Sequence, residues 1–229
     1  MNYKYEYELH SHTSETSRCS STSGAELVKK YKELGYTGIF ISDHFFNGNT
    51  SVPRDLPWEE RVNLFFEGYD NAYKAGQEIG LDVFFAWEYS YHGSDFLTYG
   101  LGKEWLLANP DVERWGPKEY FDRVRADGAF VVHAHPFRIQ DYILCIHLFP
   151  DKIDAVEVIN TSMPDDVNFR ANWMSESYNL IKVGGSDTHW FKKDKPLCKM
   201  IYNKRLSDVR DFIDTTKSGD YTFETISIE

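Results

Sequence analysis

An α/β fold built on a mostly parallel sheet, either closed as a barrel or open and doubly wound, is what this chain predicts. Two observations predict it. Stretches with the two-residue period of strands alternate with stretches of helical period along the chain, and the short apolar runs stop at polar segments rich in histidine and acid. A length of 229 residues suits one large unit better than two separately folded ones, so residues 1–229 are expected to form one domain. Hydrophobic residues at 41% and aromatics at 16% supply a sizeable core and exclude a disordered composition.

Tyr3 to Leu9 alternates aromatic with charged residues, which predicts a half-buried strand running into His10-Ser11-His12. Ser23 and Glu26 have capping-box spacing, Leu27, Val28, Tyr31 and Leu34 share one helical face, and Gly35 is placed to end that helix. Thr37 to Ser42 is an apolar run of the kind buried in a parallel sheet, stopping at Asp43-His44. After a loop with Pro53 and Pro57, Val62, Phe65, Phe66, Tyr69, Tyr73 and Ile79 recur at helical spacing up to Gly80, predicting one long helix. Leu81 to Trp87 and Phe96 to Gly100 are expected strands, and Pro117 to Ala126 is a helix opened by proline. Ala129 to Val132 is a buried strand that delivers His133-Ala134-His135-Pro136. Ile153 to Ile159 follows as a strand, Asp166 to Tyr178 as a helix, and Ile181 to Val183 as a short strand ending at Gly184-Gly185-Ser186-Asp187-Thr188-His189. Ser207 to Thr216 is the last expected helix and Tyr221 to Ile228 the closing strand.

Lys plus Arg total 25 against 36 for Asp plus Glu, a net charge of −11 that argues against a polyanion-coating surface, duplex nucleic-acid binding or an anionic membrane partner. A phosphate ligand on such a chain needs local positive charge. No apolar run approaches the roughly 18 to 20 residues that span a bilayer, and Met1 to Leu9 carries no secretion signal, so a cytoplasmic protein is expected. The cysteines Cys19, Cys145 and Cys198 are odd in number and lack CxxC spacing, which points to reduced thiols.

Histidine placement carries the chemistry. Random placement of 8 His in 229 positions gives about 0.3 HxH pairs, yet the chain has one at His10/His12 and another at His133/His135. These pairs, together with Asp43/His44, Glu88 and Asp187/His189, all fall at or just beyond expected strand ends, where parallel α/β sheets and barrels build active sites. Residues i and i+2 of a strand share a face, so His10 and His12 can offer two imidazoles to one cation, as Asp187 and His189 can offer a carboxylate and an imidazole. Imidazole and carboxylate donors suit zinc, manganese or iron, and several carboxylates can bridge neighbouring ions, so a cluster of two or three divalent ions (Mn2+, Zn2+ or Fe2+) is expected. Singly, each motif has an ordinary reading: a structural HxH, a helix cap at Asp43-His44, a solvated Glu88. The shared placement carries the metal reading. His92 and His147 lack a partner motif and read as ordinary loop or core histidines, and Lys192 to Lys195 and Glu224 to Glu229 as solvated faces.

Taken in order, Glu8-Leu9-His10-Ser11-His12-Thr13, Ile41-Ser42-Asp43-His44, Trp87-Glu88, Ala134-His135-Pro136 and Gly185-Ser186-Asp187-Thr188-His189 resemble the motifs of the polymerase-and-histidinol-phosphatase (PHP) domain family. The resemblance spans about residues 8 to 189. It implies a distorted (β/α)7 TIM-like barrel, up to three divalent metals, and mostly phosphoester hydrolysis. Position by position, it implies that His10, His12, Glu88 and Asp187 hold a first ion, that Glu88 bridges to a second taking His135, and that His44 and His189 hold a third. Many members complete the third site with an acidic residue or histidine shortly after the HxH; Glu15 is the nearest candidate here and Cys19 the next. A histidine that often follows the Glu88-type motif is absent, and Asp95 is its substitute, giving the second ion a more oxygen-rich site. His135, which precedes proline, matches the family, and His133 is expected behind a ligand rather than on an ion.

The expected reaction is hydrolysis of a phosphomonoester or phosphodiester by a metal-activated water, with Glu88, Asp187 and His189 as the catalytic residues and a small phosphorylated substrate or short nucleotide as partner. Arg18 and Arg138 are the candidates for gripping phosphate oxygens, and Asp43 for orienting His44 or a neighbouring ligand. Tyr89, Tyr91, Phe137 and Trp190 stand near the expected mouth, where they can stack on a base or pack against the barrel top. Two competing readings are a metal-dependent amidohydrolase or deaminase, whose barrels also open with HxH and close with aspartate, and a non-catalytic metal-binding module. The nearly complete ligand set speaks against the second. A bridging lysine and a longer chain, common among amidohydrolases, are missing from the pattern.

Overall fold

The computed structural model describes residues 4–228. Its first half comprises β1 (Tyr5–Glu8), α1 (Gly24–Glu33), β2 (Gly38–Ile41), α2 (Trp58–Phe65), α3 (Glu67–Ile79), β3 (Asp82–Tyr91), β4 (Ser94–Tyr99) and α4 (Lys103–Ala108). There follow α5 (Pro117–Ala126), β5 (Phe130–Ala134), β6 (Ala155–Asn160), α6 (Asp165–Tyr178), β7 (Ile181–Gly185), β8 (Pro196–Tyr202), α7 (Val209–Ser218) and β9 (Tyr221–Ser227). The strands form one sheet in the order β7-β6-β5-β4-β3-β2-β1-β8-β9.

Strands β1 to β3 run parallel, as do β5 to β7, while β4 lies antiparallel between β3 and β5. The sheet curls until the segment after β7 meets the segment after β1. There Ser11 and Thr188 form a parallel bridge, with His12 N–H donating to Thr188 O at 2.9 Å and Thr188 N–H to His10 O at 3.2 Å. The result is the expected barrel of seven strands, nearly closed, with β8 and β9 added as an antiparallel flap on β1. The distortion is concentrated at β4. Tyr91 pairs with Ser94 across the turn His92-Gly93, and positive φ at both turn residues (50° and 89°) is what a two-residue hairpin demands. The two strands expected on either side of this turn therefore join directly, with no helix between them.

Side chains alternate across the sheet and sort into two apolar layers. Tyr7, Phe40, Ala86, Leu97, Tyr99, Val132 and Val183 fill the barrel, and Phe212 of α7 closes it against Phe40, Tyr99 and Phe130 at the end away from His135. Phe85, Trp87, Phe96, Val131 and Val156 face outward under the helices, where Trp87 Nε1 donates to Tyr120 Oη at 2.6 Å and Tyr89 stacks on Tyr120 at 3.7 Å.

The capping box at Ser23/Glu26 forms as expected, and α5 has the predicted bounds. The single long helix expected before Gly80 is broken at Phe66 into α2 and α3. The break lets Gly68 press its backbone onto the loop after His12: a Cβ there would collide with the Thr13 hydroxyl and come within 3.0 Å of Asp43 Oδ2. α4 and β8 were not foreseen, and Tyr3, placed in the first expected strand, lies outside the described residues. Among those residues no helix is long and apolar enough to cross a membrane.

One buried carboxylate ties the seam together. Glu8 Oε1 accepts from His10 N (2.9 Å) and Ser186 N (2.8 Å), while Oε2 accepts from Tyr31 Oη (3.2 Å) and the Ser186 hydroxyl. Burial pushes its carboxyl up to about 7 despite these donors. Replacing Glu8 by Ala orphans the His10 and Ser186 N–H groups and the Ser186 hydroxyl, while Tyr31 keeps Thr188 Oγ1 at 2.8 Å, so denaturant unfolding is expected to show a loss of about 3 kcal/mol or more. Glu26→Ala, at the exposed capping box, is expected to cost about 1 kcal/mol or less in the same measurement.

Candidate metal centre

The strands deliver the site residues to one end of the barrel. His10 and His12 follow β1, Asp43 and His44 follow β2, His135 follows β5, and Asp187 and His189 follow β7. Glu88 sits within β3, which runs on past it to form the hairpin. Strand alternation alone would point His133 and His135 to the same face. A left-handed backbone at His135 (φ 30°) reverses its direction and turns its ring over the barrel mouth, and Asp187 (φ 52°) is bent in the same way. Non-glycine residues held in this region are strained, and such strain gathers at functional sites.

The rings and carboxylates converge closely. His10 Nε2 lies 3.1 Å from His12 Nε2, 3.3 Å from Glu88 Oε1 and 3.5 Å from Asp187 Oδ1. His12 Nε2 is 3.2 Å from Asp187 Oδ1, and His135 Nε2 is 3.3 Å from Glu88 Oε1. His44 Nδ1 stands 2.7 Å from Glu88 Oε2 without hydrogen-bond alignment. Four overlapping groups of three donors result: His10/His12/Glu88, His10/His135/Asp187, Glu88/Asp95/His135 and His12/His44/His189.

Hydrogen bonds behind the rings fix which nitrogen faces the centre. His10 Nδ1 lies 2.9 Å from Glu157 Oε1, so Nδ1 carries a proton and Nε2 is the atom that faces the centre; burial opposes a charge on this ring, but Glu157, Asp187 and Glu88 outweigh it and hold its pKa well above the ordinary imidazole value. His12 Nδ1 lies 3.3 Å from Ser17 Oγ, whose own proton goes to Asp43 Oδ1 at 2.7 Å, so His12 Nε2 faces inward unprotonated. His189 donates from Nδ1 to the Asp187 carbonyl at 3.1 Å. Both Glu88 oxygens and both His135 ring nitrogens are buried with no hydrogen-bond partner. Lone pairs this close, aimed at one another in a dry interior, repel unless a cation stands between them. The donor set therefore fits divalent metal ions.

The charges respond to one another. Burial opposes ionisation of Glu88 and Asp187, but His44 and His10 beside Glu88, and His10, His12 and His189 beside Asp187, outweigh it and hold both carboxyls well below the usual range. Burial and the adjacent His189 and His44 push His12 well below the ordinary imidazole value. Burial alone would raise the Cys19 thiol, yet hydrogen bonds to His189 and His44 bring it down to about 6.

Several expected residues stand elsewhere. Glu15 does not reach the cluster; its carboxylate accepts from Gly24 N at 3.1 Å, capping α1, and from Asn71 Nδ2 at 3.1 Å. The loop turns tightly after Thr13, which accepts from Ser17 N at 2.9 Å, so Ser17 and Cys19 point inward and Glu15 outward. His133 is not behind a ligand but on the outer face of the sheet, stacked on Phe96 at 4.3 Å, where burial depresses it to about 3. Arg18 is exposed and holds the loop only through its backbone N–H to Asn49 O at 3.0 Å. Tyr89 is buried against Tyr120 rather than placed at the mouth.

Other expectations meet the site. Asp43 accepts from Thr13 N, Thr13 Oγ1 and Ser17 Oγ, each at 2.7 Å, and so braces the loop carrying His12. Arg138 borders a cavity of about 540 Å³ above the cluster, donating from Nη2 to Asp95 Oδ2 at 2.6 Å. Asp95 also accepts from Ser90 Oγ at 2.6 Å. Cys19, Asn47, Asn49, His92 and Tyr142 share that cavity's lining.

Sequence reasoning missed Glu157, which holds His10 and also accepts from His135 N (3.1 Å) and Asn160 Nδ2 (2.8 Å). Its only signal was a lone acid inside the apolar run Ala155-Val156-Glu157-Val158-Ile159. Gly185 makes room for it, since a Cβ there would strike Glu157 Oε1 and come within 2.7 Å of His10 Cβ.

No family model and no curated protein matches the chain. Solved structures do. A two-domain protein of Bacteroides vulgatus containing a predicted PHP-like metal-dependent phosphoesterase matches over 97% of this chain at 14% identity and TM-score 0.70; the chain spans 65% of that protein. A candidate metal-dependent phosphoesterase of Bifidobacterium adolescentis matches over 91% of this chain and 94% of its own, at 17% identity and TM-score 0.56. An amidohydrolase of Chromobacterium violaceum, with bound sulfate and no metal, matches over 80% of this chain and 87% of its own, at 12% identity and TM-score 0.51. The chain thus has the barrel fold of PHP-like metal-dependent phosphoesterases.

Proposed function

We propose that this chain is a metal-dependent phosphoesterase, hydrolysing a small phosphomonoester or phosphodiester at a centre of two or three divalent ions. The observation that carries the reading is the convergence of the His10 and His12 Nε2 atoms with Glu88 and Asp187, beside the fixed cation Arg138. His10, His12, Glu88 and Asp187 would hold one ion, Glu88, His135 and Asp95 a second, and His44 and His189 a third. Bound there, Mn2+, Zn2+ or Fe2+ supplies Lewis-acid polarisation of a phosphoryl oxygen and a nucleophile at neutral pH.

The chain's own groups do the rest. Glu157 keeps the His10 proton on Nδ1, and Ser17, itself held by Asp43, keeps the His12 proton on its Nδ1. Arg138 offers its guanidinium to a phosphate oxygen from the cavity wall, already oriented by Asp95 and the Gly93 carbonyl. Asn47, Asn49 and Tyr142 present amides and a hydroxyl to the remainder of the substrate. A cavity of about 540 Å³ suits a small molecule or short nucleotide. The amidohydrolase of the same fold makes amides the second substrate class to examine, and the arginine at the cavity wall favours phosphate.

The test is release of phosphate or nucleotide from a panel of phosphomonoesters and phosphodiesters by protein loaded with Mn2+, Zn2+ or Fe2+, with amides alongside. Release from phosphoesters, abolished in His10→Ala, is expected; a fully loaded protein that cleaves only amides, or nothing, refutes the reading. Glu157→Gln is expected to weaken metal binding about 10- to 100-fold by calorimetry. Arg138→Ala should raise KM at unchanged metal content, whereas Arg18→Ala should alter neither. Chelation should lower the melting temperature, and any ion that binds should restore it by a stabilisation that grows with the logarithm of its concentration over its Kd.

A further inference from the structure

Glu15 was the first candidate to complete the third site and Cys19 the second, and it is the sulfur that faces the cavity. Cys19 Sγ lies 3.1 Å from His44 Nε2 and is hydrogen-bonded to His189. His44 and His189 in turn group with His12, whose ring stacks on theirs at 4.4 Å and 4.3 Å. We propose that Cys19 is a metal ligand, completing with His44 and His189 a thiolate-bearing cation site at the rim of the centre. The reading deepens the metal centre proposed above but does not depend on phosphoester hydrolysis.

The loop is built to hold the sulfur there. On one side of Cys19, the Arg18 N–H donates to Asn49 O at 3.0 Å. On the other, the Ser20 hydroxyl lies 2.9 Å from His12 O and 2.8 Å from His189 O, tying the loop to the two segments that carry the histidines. Glu15, the acid nearest in sequence, is spent on α1 and Asn71, so it leaves this position to the thiol. Cys145 is exposed and Cys198 is buried on β8. One soft thiolate with two imidazoles selects zinc, iron(II) or cobalt(II) over manganese or magnesium. The centre would then be chemically uneven, with oxygen-rich positions around Glu88 and one sulfur-bearing position beside His44.

Cobalt(II) is the probe. Titrated into the metal-free full chain, it is expected to raise a thiolate-to-cobalt charge-transfer band in the near ultraviolet, absent from Cys19→Ser and retained in Cys145→Ser. A second measurement needs no variant: iodoacetamide labelling of the wild-type chain, read by peptide mass, should mark Cys19 without zinc and lose that mark with zinc, while Cys145 labels in both. Cobalt bound without the sulfur band, a band that survives Cys19→Ser, or Cys19 labelled equally with zinc present overturns the thiolate ligand and leaves the rest of the centre standing. A chain that binds no cobalt overturns the metal centre as well.

Discussion

The structure depends on the closure of its sheet at the seam between β1 and β7. Four of the donors, His10, His12, Asp187 and His189, come from the two segments that meet there, nearly 180 residues apart in sequence. The Ser11/Thr188 bridge supplies directional backbone bonds, and Glu8 supplies a buried carboxyl shared among Ser186, His10 and Tyr31. A carboxylate out of water is costly unless its lone pairs are filled, and here the partners that fill them belong to opposite sides of the seam. Fold stability and ligand geometry are thus fixed by the same atoms. Loosening the seam would separate His12 from Asp187 before it disturbed either strand.

Inward from that seam, three of the clustered histidines are held from behind by hydrogen bonds. Glu157 orients His10, Ser17 and Asp43 orient His12, and the Asp187 carbonyl orients His189. These bonds decide tautomers, and tautomers decide where lone pairs point. The cost is a polar pocket inside an apolar barrel, compensated by Gly185 and Gly68, whose missing side chains let the supporting carboxylates and hydroxyls come close.

The parts of this arrangement legible in the sequence were the local ones. HxH, Asp-His, His-Pro and Asp-Thr-His are short motifs at strand ends, where the register of two or three residues settles the geometry, and the structure brings His10, His12, His44, Glu88, His135, Asp187 and His189 together. What escaped depended on chain direction in space. Nothing in Tyr91 to Ser94 distinguished a tight hairpin from a longer connection except His92-Gly93, since a non-glycine residue seldom adopts the first positive φ of such a turn. Glu157 was invisible because one acid in an apolar strand has the same pattern whether it faces a metal ligand or a helix. His133 misled for the opposite reason: the left-handed turn at His135 undoes the alternation that would have kept the two rings together. Glu15 was ranked ahead of Cys19 because sequence distance could not show how the loop folds back onto Thr13.

The reversed strand has one more effect. By inserting a hairpin where a helix would stand, the chain places Ser90, His92, Gly93 and Asp95 on the wall of the cavity, while His44, Asp187 and His189 line it from the segments after β2 and β7. Change at the tip of that hairpin can reshape what is admitted without disturbing what reacts. Variation at the His92-Gly93 tip can thus alter the cavity's outline while the clustered imidazoles and carboxylates keep their places.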